Sequence, residues 1–241
     1  MKKFFIAKEN LSEEKAIISG DEFFHLTKVL RSQEGETIQI LTGDEFVYLA
    51  EIESIGKNEA ICNILKKSFC LANPKHKITV FQGLPKGDKL ELIIQKISEL
   101  GASTLIPFES QFTIAKNNNL KLPRLEKISH EACKQCGRSI PLEIKPTIKF
   151  KEILVLLKEF DLVLFVYENA PTFNGISALT TKLQSAKNIA VVIGSEGGFS
   201  NEESEAILKE NVEKVSLGSR ILRTETASIS VVGYLSFLTN N

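Results

Sequence analysis

The 241-residue sequence has no excess of either charge, since thirty Lys and Arg stand against thirty Asp and Glu. A global field drawing it to nucleic acid or to a membrane is excluded, and any such affinity must come from local clusters. Long apolar runs are also missing. The longest, such as Leu162–Tyr167, have the length of a strand and fall far short of the roughly 20 residues that span a bilayer. No membrane segment is expected. Behind Lys2 and Lys3 only Phe4 to Ala7 are apolar before Lys8 and Glu9 intervene, which is too short for the core of an export signal. Four cysteines are too few for a disulfide scaffold in a chain of this size, so reduced thiols and a cytoplasmic location are expected. Internal repeats and low-complexity segments are absent, and Asn117-Asn118-Asn119 reads as an exposed loop.

What is present is enough apolar sequence, 43%, to bury a core without staples. Up to about Leu71 the pattern is short and alternating: Phe4–Ile6, Ala16–Ile18, Thr37–Leu41, Phe46–Ile55 and Glu59–Leu65 read as strands of a small β-barrel. One helix interrupts them. Ser19 and Glu22 have capping-box spacing, and Phe23, Leu26 and Leu30 follow at helical intervals. The turn-rich connector from Leu71 to Lys77 marks a domain boundary, giving domains 1–72 and 73–241. Beyond it strands and helices alternate, as in an α/β domain with a parallel sheet. Ile78–Phe81, Leu105–Phe108, Leu162–Val166, Ala190–Ile193 and Val215–Leu217 are its strands. Leu90, Ile93, Ile94, Ile97 and Leu100 trace a helix that Gly101 can end. Leu122 to Ala132 and Phe150 to Leu157 trace two more, Ser200 and Glu203 can open another, and an apolar helix runs to Leu238.

Two glycine turns carry the chemistry. Val191 to Ser200, VVIGSEGGFS, is a strand running into a turn at a helix start. Leu217 to Ala227, LGSRILRTETA, repeats that arrangement. Alone, a glycine pair is a plain tight turn. The first turn matches neither the dinucleotide fingerprint nor the phosphate loop, because the glycine spacing is wrong and no Lys-Ser/Thr follows. With Leu162–Glu168 the turns make three strand-end loops, where open α/β sheets place ligands.

Together with Phe24-His25-Leu26-Thr27-Lys28-Val29-Leu30-Arg31, Lys86-Gly87-Asp88-Lys89, Lys96 to Gly101 and Glu131 to Pro141, these turns make the sequence resemble the RsmE family of 16S rRNA uridine N3-methyltransferases, within the knotted SPOUT superfamily. The resemblance implies a mixed α/β chain. Its PUA-like N-terminal barrel would be joined to a SPOUT domain with a deep trefoil knot, working as a homodimer on 16S rRNA or the assembled small subunit with S-adenosylmethionine as methyl donor. The donor site would comprise Phe165, Glu168, Gly194, Ser195, Glu196, Gly197, Leu217, Gly218, Ile221, Leu222, Arg223 and Thr224. Ser195 stands where the family commonly has proline, which loosens the turn without removing a ligand group. RNA contacts would come from Lys2, Lys3, Lys28, Arg31 and Arg138. No metal is implied.

Uracil carries a proton on N3, so methylation there must favour its departure. Arg223 is the first candidate for stabilising the developing charge or gripping a phosphate, and Arg138 the second. Either can also be read as an ordinary surface arginine. Glu225 can accept a proton, orient Arg223, or simply complement the helix N-terminus behind it. His130, Cys133 and Cys136 share a helix face, but with no fourth ligand in sight small-residue packing is the reading adopted. Competing functions are a non-catalytic RNA-binding protein, a methyltransferase for another rRNA or tRNA site, and a nucleotide-dependent α/β enzyme.

Overall fold

The structure, a computed structural model, describes residues 1–114, 120–167 and 179–239. The Asn117–Asn119 loop and Glu168 lie outside the described residues. The chain divides into two compact units: Met1–Asn73 with Cys133–Pro141, and Pro74–Ala132 with Leu142–Asn241. No helix among the described residues is long and apolar enough to cross a membrane.

In the first unit, β1 (Lys3–Phe5), β2 (Lys15–Ser19), β3 (Thr37–Leu41), β4 (Phe46–Ile55) and β5 (Glu59–Phe69) form one sheet in the order β1-β3-β4-β5-β2. All neighbours are antiparallel except β1 with β3. Two register shifts between β4 and β5, at Leu49/Ala50 and Ile52/Ser54, curl the sheet, as bulges do. Its concave side holds Phe4, Ile18, Leu26, Ile38, Ile40 and Ile52, all buried. The interrupting helix is α1 (Gly20–Phe24), continued by a wider π turn over His25–Val29. The capping box expected at its start does not form. Ser19 makes no capping bond, because Glu22 is drawn to Lys134, at 2.5 Å.

The segment Cys133–Pro141 belongs to this unit although chain order alone assigns it to the second. Polar contacts fix it there: Lys3 Nζ donates to the Lys134 carbonyl (2.8 Å), Asn73 Nδ2 to Ser139 Oγ (2.8 Å), and Ser139 Oγ to the Asp44 carbonyl (2.5 Å). Arg138 is 2% exposed, with the sulfurs of Cys133, Cys136 and Cys70 around it, and burial lowers its affinity for a proton. The Cys133 thiol, helped by Arg138 and opposed by burial, brings Cys136 down to about 6. Burial pushes Cys62 up to about 11. The thiolate is the nucleophile. Iodoacetamide at pH 7, read by peptide mass spectrometry, is therefore expected to modify Cys136 well before Cys62. The Cys136 rate should fall as pH drops through its value of about 6.

The second unit is built on a parallel sheet. Its strands are β6 (Lys77–Gly83), β7 (Thr104–Glu109), β8 (Glu143–Ile144), β9 (Ile148–Lys149), β10 (Leu162–Val166), β11 (Asn188–Ile193) and β12 (Glu213–Val215). The order is β12-β10-β11-β6-β7-β8, with β9 also on β7. A parallel sheet is covered on both faces, which is why its strands are apolar throughout. Alternate residues feed two cores. Ile78, Val80, Leu164 and Val191 face α2 (Lys89–Glu99) and α7 (Thr224–Thr239), whereas Phe81, Val163, Phe165 and Val192 face α4 (Phe150–Leu156) and α6 (Asn201–Leu208). Helices α3 (Leu122–Cys136) and α5 (Thr180–Ser185) complete the α-helices described. Gly101, at φ +94°, ends α2 as the sequence suggests. The Ser200 capping box opens α6: Ser200 Oγ accepts from Glu203 N (3.2 Å), and Glu203 returns a carboxylate to Ser200 N (3.0 Å).

Candidate active site

In this order β10, β11 and β12 are neighbours, so their carboxyl ends and the loops after them converge on one side of the sheet. Between those loops lies a cleft of about 300 Å³, walled by Val166 and Tyr167 at the end of β10, Ile193 to Glu196, Gly198 and Phe199 at the end of β11, and Ser216 to Thr224 after β12. This is within the size range of small-ligand pockets.

Close backbone packing shapes it. The first turn closes where Gly198 N donates to the Ser195 carbonyl at 3.0 Å, with Gly198 at φ +67°, a left-handed angle that suits glycine. At the end of β6, a Cβ added to Gly83 would sit 2.3 Å from the amide nitrogen of Ser195. Only glycine lets these two strand ends meet. Gly197 likewise admits Phe112, whose Cβ would lie 2.7 Å from an added Cβ. Under the cleft runs a buried polar chain. Ser228 Oγ donates to Gln82 Oε1, Gln82 Nε2 to Thr224 Oγ1 (2.8 Å), and Thr224 Oγ1 to the Gly194 carbonyl (2.6 Å). It ties the start of α7 to the first turn.

A second tie spans the rim. Lys89 Nζ, at the start of α2, lies 2.7 Å from Glu196 Oε1 and 3.5 Å from Glu225 Oε2. One ammonium thus holds a carboxylate from each glycine turn. Burial raises the Glu196 carboxyl, but the Lys89 hydrogen bond and the amides of Glu196 and Lys86 outweigh it and hold the group below its ordinary value. The Glu196 hydrogen bond raises Lys89. A lowered carboxyl loses its contribution only as pH falls through the folded value, and a raised amine only as pH rises through its own. The tie therefore persists across the neutral range. Substituting Lys89→Met should weaken S-adenosylmethionine binding roughly fivefold, a modest effect because the pair is partly exposed. The ratio of wild-type to Lys89→Met affinity should stay constant from about pH 6 to 9, both by calorimetry.

Of the residues predicted from sequence, Gly194, Ser195, Glu196, Leu217, Gly218, Ile221, Leu222, Arg223 and Thr224 line this cleft. Phe165 does not. It is fully buried, stacked on Tyr167 and edge-on to Phe199, both at 5.2 Å, so these two rings form the wall and Phe165 supports them. Gly197 packs on Phe112. Glu225 turns to Lys89 with its side chain 12% exposed, and Arg138 belongs to the first unit. Arg223 is exposed at the cleft. Lys2 and Lys3 are spent on internal bonds, whereas Lys28 and Arg31 are exposed. Tyr167, Phe199, Ser216, Gln82 and Lys89 escaped the sequence reading. The Lys86 to Lys89 motif was the one signal that pointed toward Lys89.

The cleft fits S-adenosylmethionine on its own evidence. Ser195 Oγ is buried there with no hydrogen-bond partner among the described residues, a state that costs free energy unless a ligand completes it. The remaining wall combines aromatic rings with close backbone, as such pockets require.

A model of the RNA methyltransferase domain matches residues 72–236, and one of the RNA methyltransferase PUA domain matches residues 18–65. The chain is 31% identical to the ribosomal RNA small subunit methyltransferase E of Bacillus subtilis over 99% of this chain and 97% of that one. It is 30% identical to the Rickettsia conorii protein of the same name, over 98% and 95%. A crystal structure of ribosomal RNA small subunit methyltransferase E from Neisseria gonorrhoeae, bound to S-adenosyl methionine, superposes with a TM-score of 0.89 at 26% identity, covering 99% of this chain and 98% of that one. With both domain models matched and relatives aligned end to end, the chain belongs to the ribosomal RNA small subunit methyltransferase E family of RNA methyltransferases.

Proposed function

We propose that the protein is an S-adenosylmethionine-dependent methyltransferase that methylates N3 of one uridine in the 16S rRNA of the small ribosomal subunit. The observation that carries this reading is the cleft at the ends of three adjacent parallel strands, walled by both glycine turns with the exposed Arg223 at its rim, in a chain that aligns over 99% of its length with a small-subunit rRNA methyltransferase. The donor supplies an electrophilic methyl group on sulfonium. Gly194, Ser195, Glu196, Leu217, Gly218, Ile221, Leu222 and Thr224 hold it, and Tyr167 and Phe199 exclude water from the cleft floor.

Arg223 then places positive charge beside the uracil and stabilises the anion left when the N3 proton passes to solvent, so that an N3–methyl bond replaces the sulfur–methyl bond and S-adenosylhomocysteine is the leaving group. Glu225, committed to Lys89, keeps the second turn in place. The C-terminal unit is a SPOUT domain whose chain is threaded as a deep trefoil knot, and the enzyme works as a homodimer in the cytoplasm. The test is nucleoside mass spectrometry of both ribosomal subunits and tRNA from a strain lacking the gene. N3-methyluridine should vanish from small-subunit RNA alone. Its persistence there would exclude the assignment.

A further inference from the structure

In the first unit, Arg31 is the one non-glycine residue with a positive φ, +48°, among the described residues. It follows the C-cap Leu30, where helices usually place glycine or asparagine because a Cβ crowds the left-handed backbone. An arginine there is held against its preference, and such strain persists only where the surroundings impose it.

The surroundings are specific. The turn is closed by Leu30 N donating to the His25 carbonyl (2.9 Å) and Ser32 N to the Leu26 carbonyl (3.0 Å). All three protons of the Lys2 ammonium then go to this turn and its neighbour: to the Leu30 carbonyl (3.3 Å), Ser32 Oγ (2.9 Å) and Glu36 Oε2 (2.7 Å). Glu36 is itself fixed to the sheet, its carbonyl accepting from Ile52 N at 3.0 Å. Lys2 thus pins both sides of Arg31 to the strands and leaves the arginine side chain in solvent, on a segment that also exposes Phe24, Lys28 and Val29. Among the described residues, Glu36 pairs with Lys2 and Glu22 with Lys134, so two acids of this unit are held by other cations.

We infer that Lys2 is a positioning residue that forces the left-handed turn and presents Arg31 to a phosphate of the RNA substrate. The inference rests on the reading of rRNA as substrate and gives Lys2 a different role from direct contact. The occupant is a polyanionic backbone because this short segment exposes two cations, Lys28 and Arg31, together with the apolar ring of Phe24, a composition suited to a phosphate with a neighbouring nucleotide.

The experiment titrates purified small-subunit rRNA across a range of KCl with wild type, Arg31→Asn, Lys2→Met and the double variant. Asparagine tolerates the left-handed turn, so Arg31→Asn should melt no lower than wild type. Its rRNA affinity should fall about tenfold, with the slope of log affinity against log salt reduced by about one, as for one lost phosphate contact. S-adenosylmethionine affinity should not change. Lys2→Met should lose similar RNA affinity with Arg31 still present, and should cost nothing further in the Arg31→Asn background. Wild-type affinity and slope in Arg31→Asn would overturn the inference. So would a full additional loss in the double variant, since Lys2 would then touch RNA itself. If wild type binds no rRNA, the substrate reading fails instead.

Discussion

Substituting Gly83→Ala is expected to abolish measurable S-adenosylmethionine binding, although residue 83 is not itself a wall of the cleft. The added Cβ would lie 2.3 Å from Ser195 N and 2.7 Å from the Gly194 carbonyl carbon. Both are backbone atoms at the end of β11, one of the two central strands of the sheet, and cannot swing aside as the tip of a side chain can. Relief requires the end of β6 and the first glycine turn to part. That movement would also pull on Gln82, whose hydrogen bond to Thr224 is 2.8 Å, and so on the start of α7. Overpacking of this kind costs about 3 kcal/mol. In a chain of this size that lowers the melting temperature by roughly 6–12 °C. Calorimetric titration with S-adenosylhomocysteine, beside a thermal melt, checks both effects. A variant that bound the nucleoside with wild-type affinity would show that the turn is not set by this contact.

The second large effect is on chemistry. With Arg223→Gln, kcat for rRNA methylation is expected to fall by about 10² to 10³, the usual cost of removing one group that stabilises developing charge. S-adenosylmethionine affinity should change less than threefold. Stability should move by no more than about 0.5 kcal/mol, because the arginine is exposed. Single-turnover rates and direct donor titration separate these quantities. A rise in KM for RNA at constant kcat would reassign Arg223 to holding a phosphate.

Much of this molecule was legible in one dimension. The period-2 strands of the first unit, the apolar stripe of α2 ended by Gly101 and the Ser200 capping box follow from local rules, and each stands where those rules put it. The two glycine turns were legible for the same reason, since a left-handed glycine between strand and helix is a local requirement. The Ser19 capping box was also written in local spacing, yet a long-range ion pair from Lys134 to Glu22 displaces it. Phe165 shows the limit of strand-end reasoning. Alternation along β10 puts it on the face covered by α4 and α6, while the next residues, Val166 and Tyr167, reach the cleft.

The sequence by itself determined the longer strands and helices, the two glycine turns and the family of this protein, because hydrophobic period, glycine position and motif spacing act over a few residues, while the short β8, β9 and α5 carry too few residues to show a period. Only the tertiary structure decided which charges remain available. Lys2 and Lys3 look like free cations in sequence and are consumed by two carbonyls, a hydroxyl and a carboxylate brought from 28 or more positions away. Arg138 is buried, Arg31 is driven outward, and Lys89 is drawn between two acids more than 100 residues distant. Electrostatic partnership depends on distance in space, and chain order does not fix that distance.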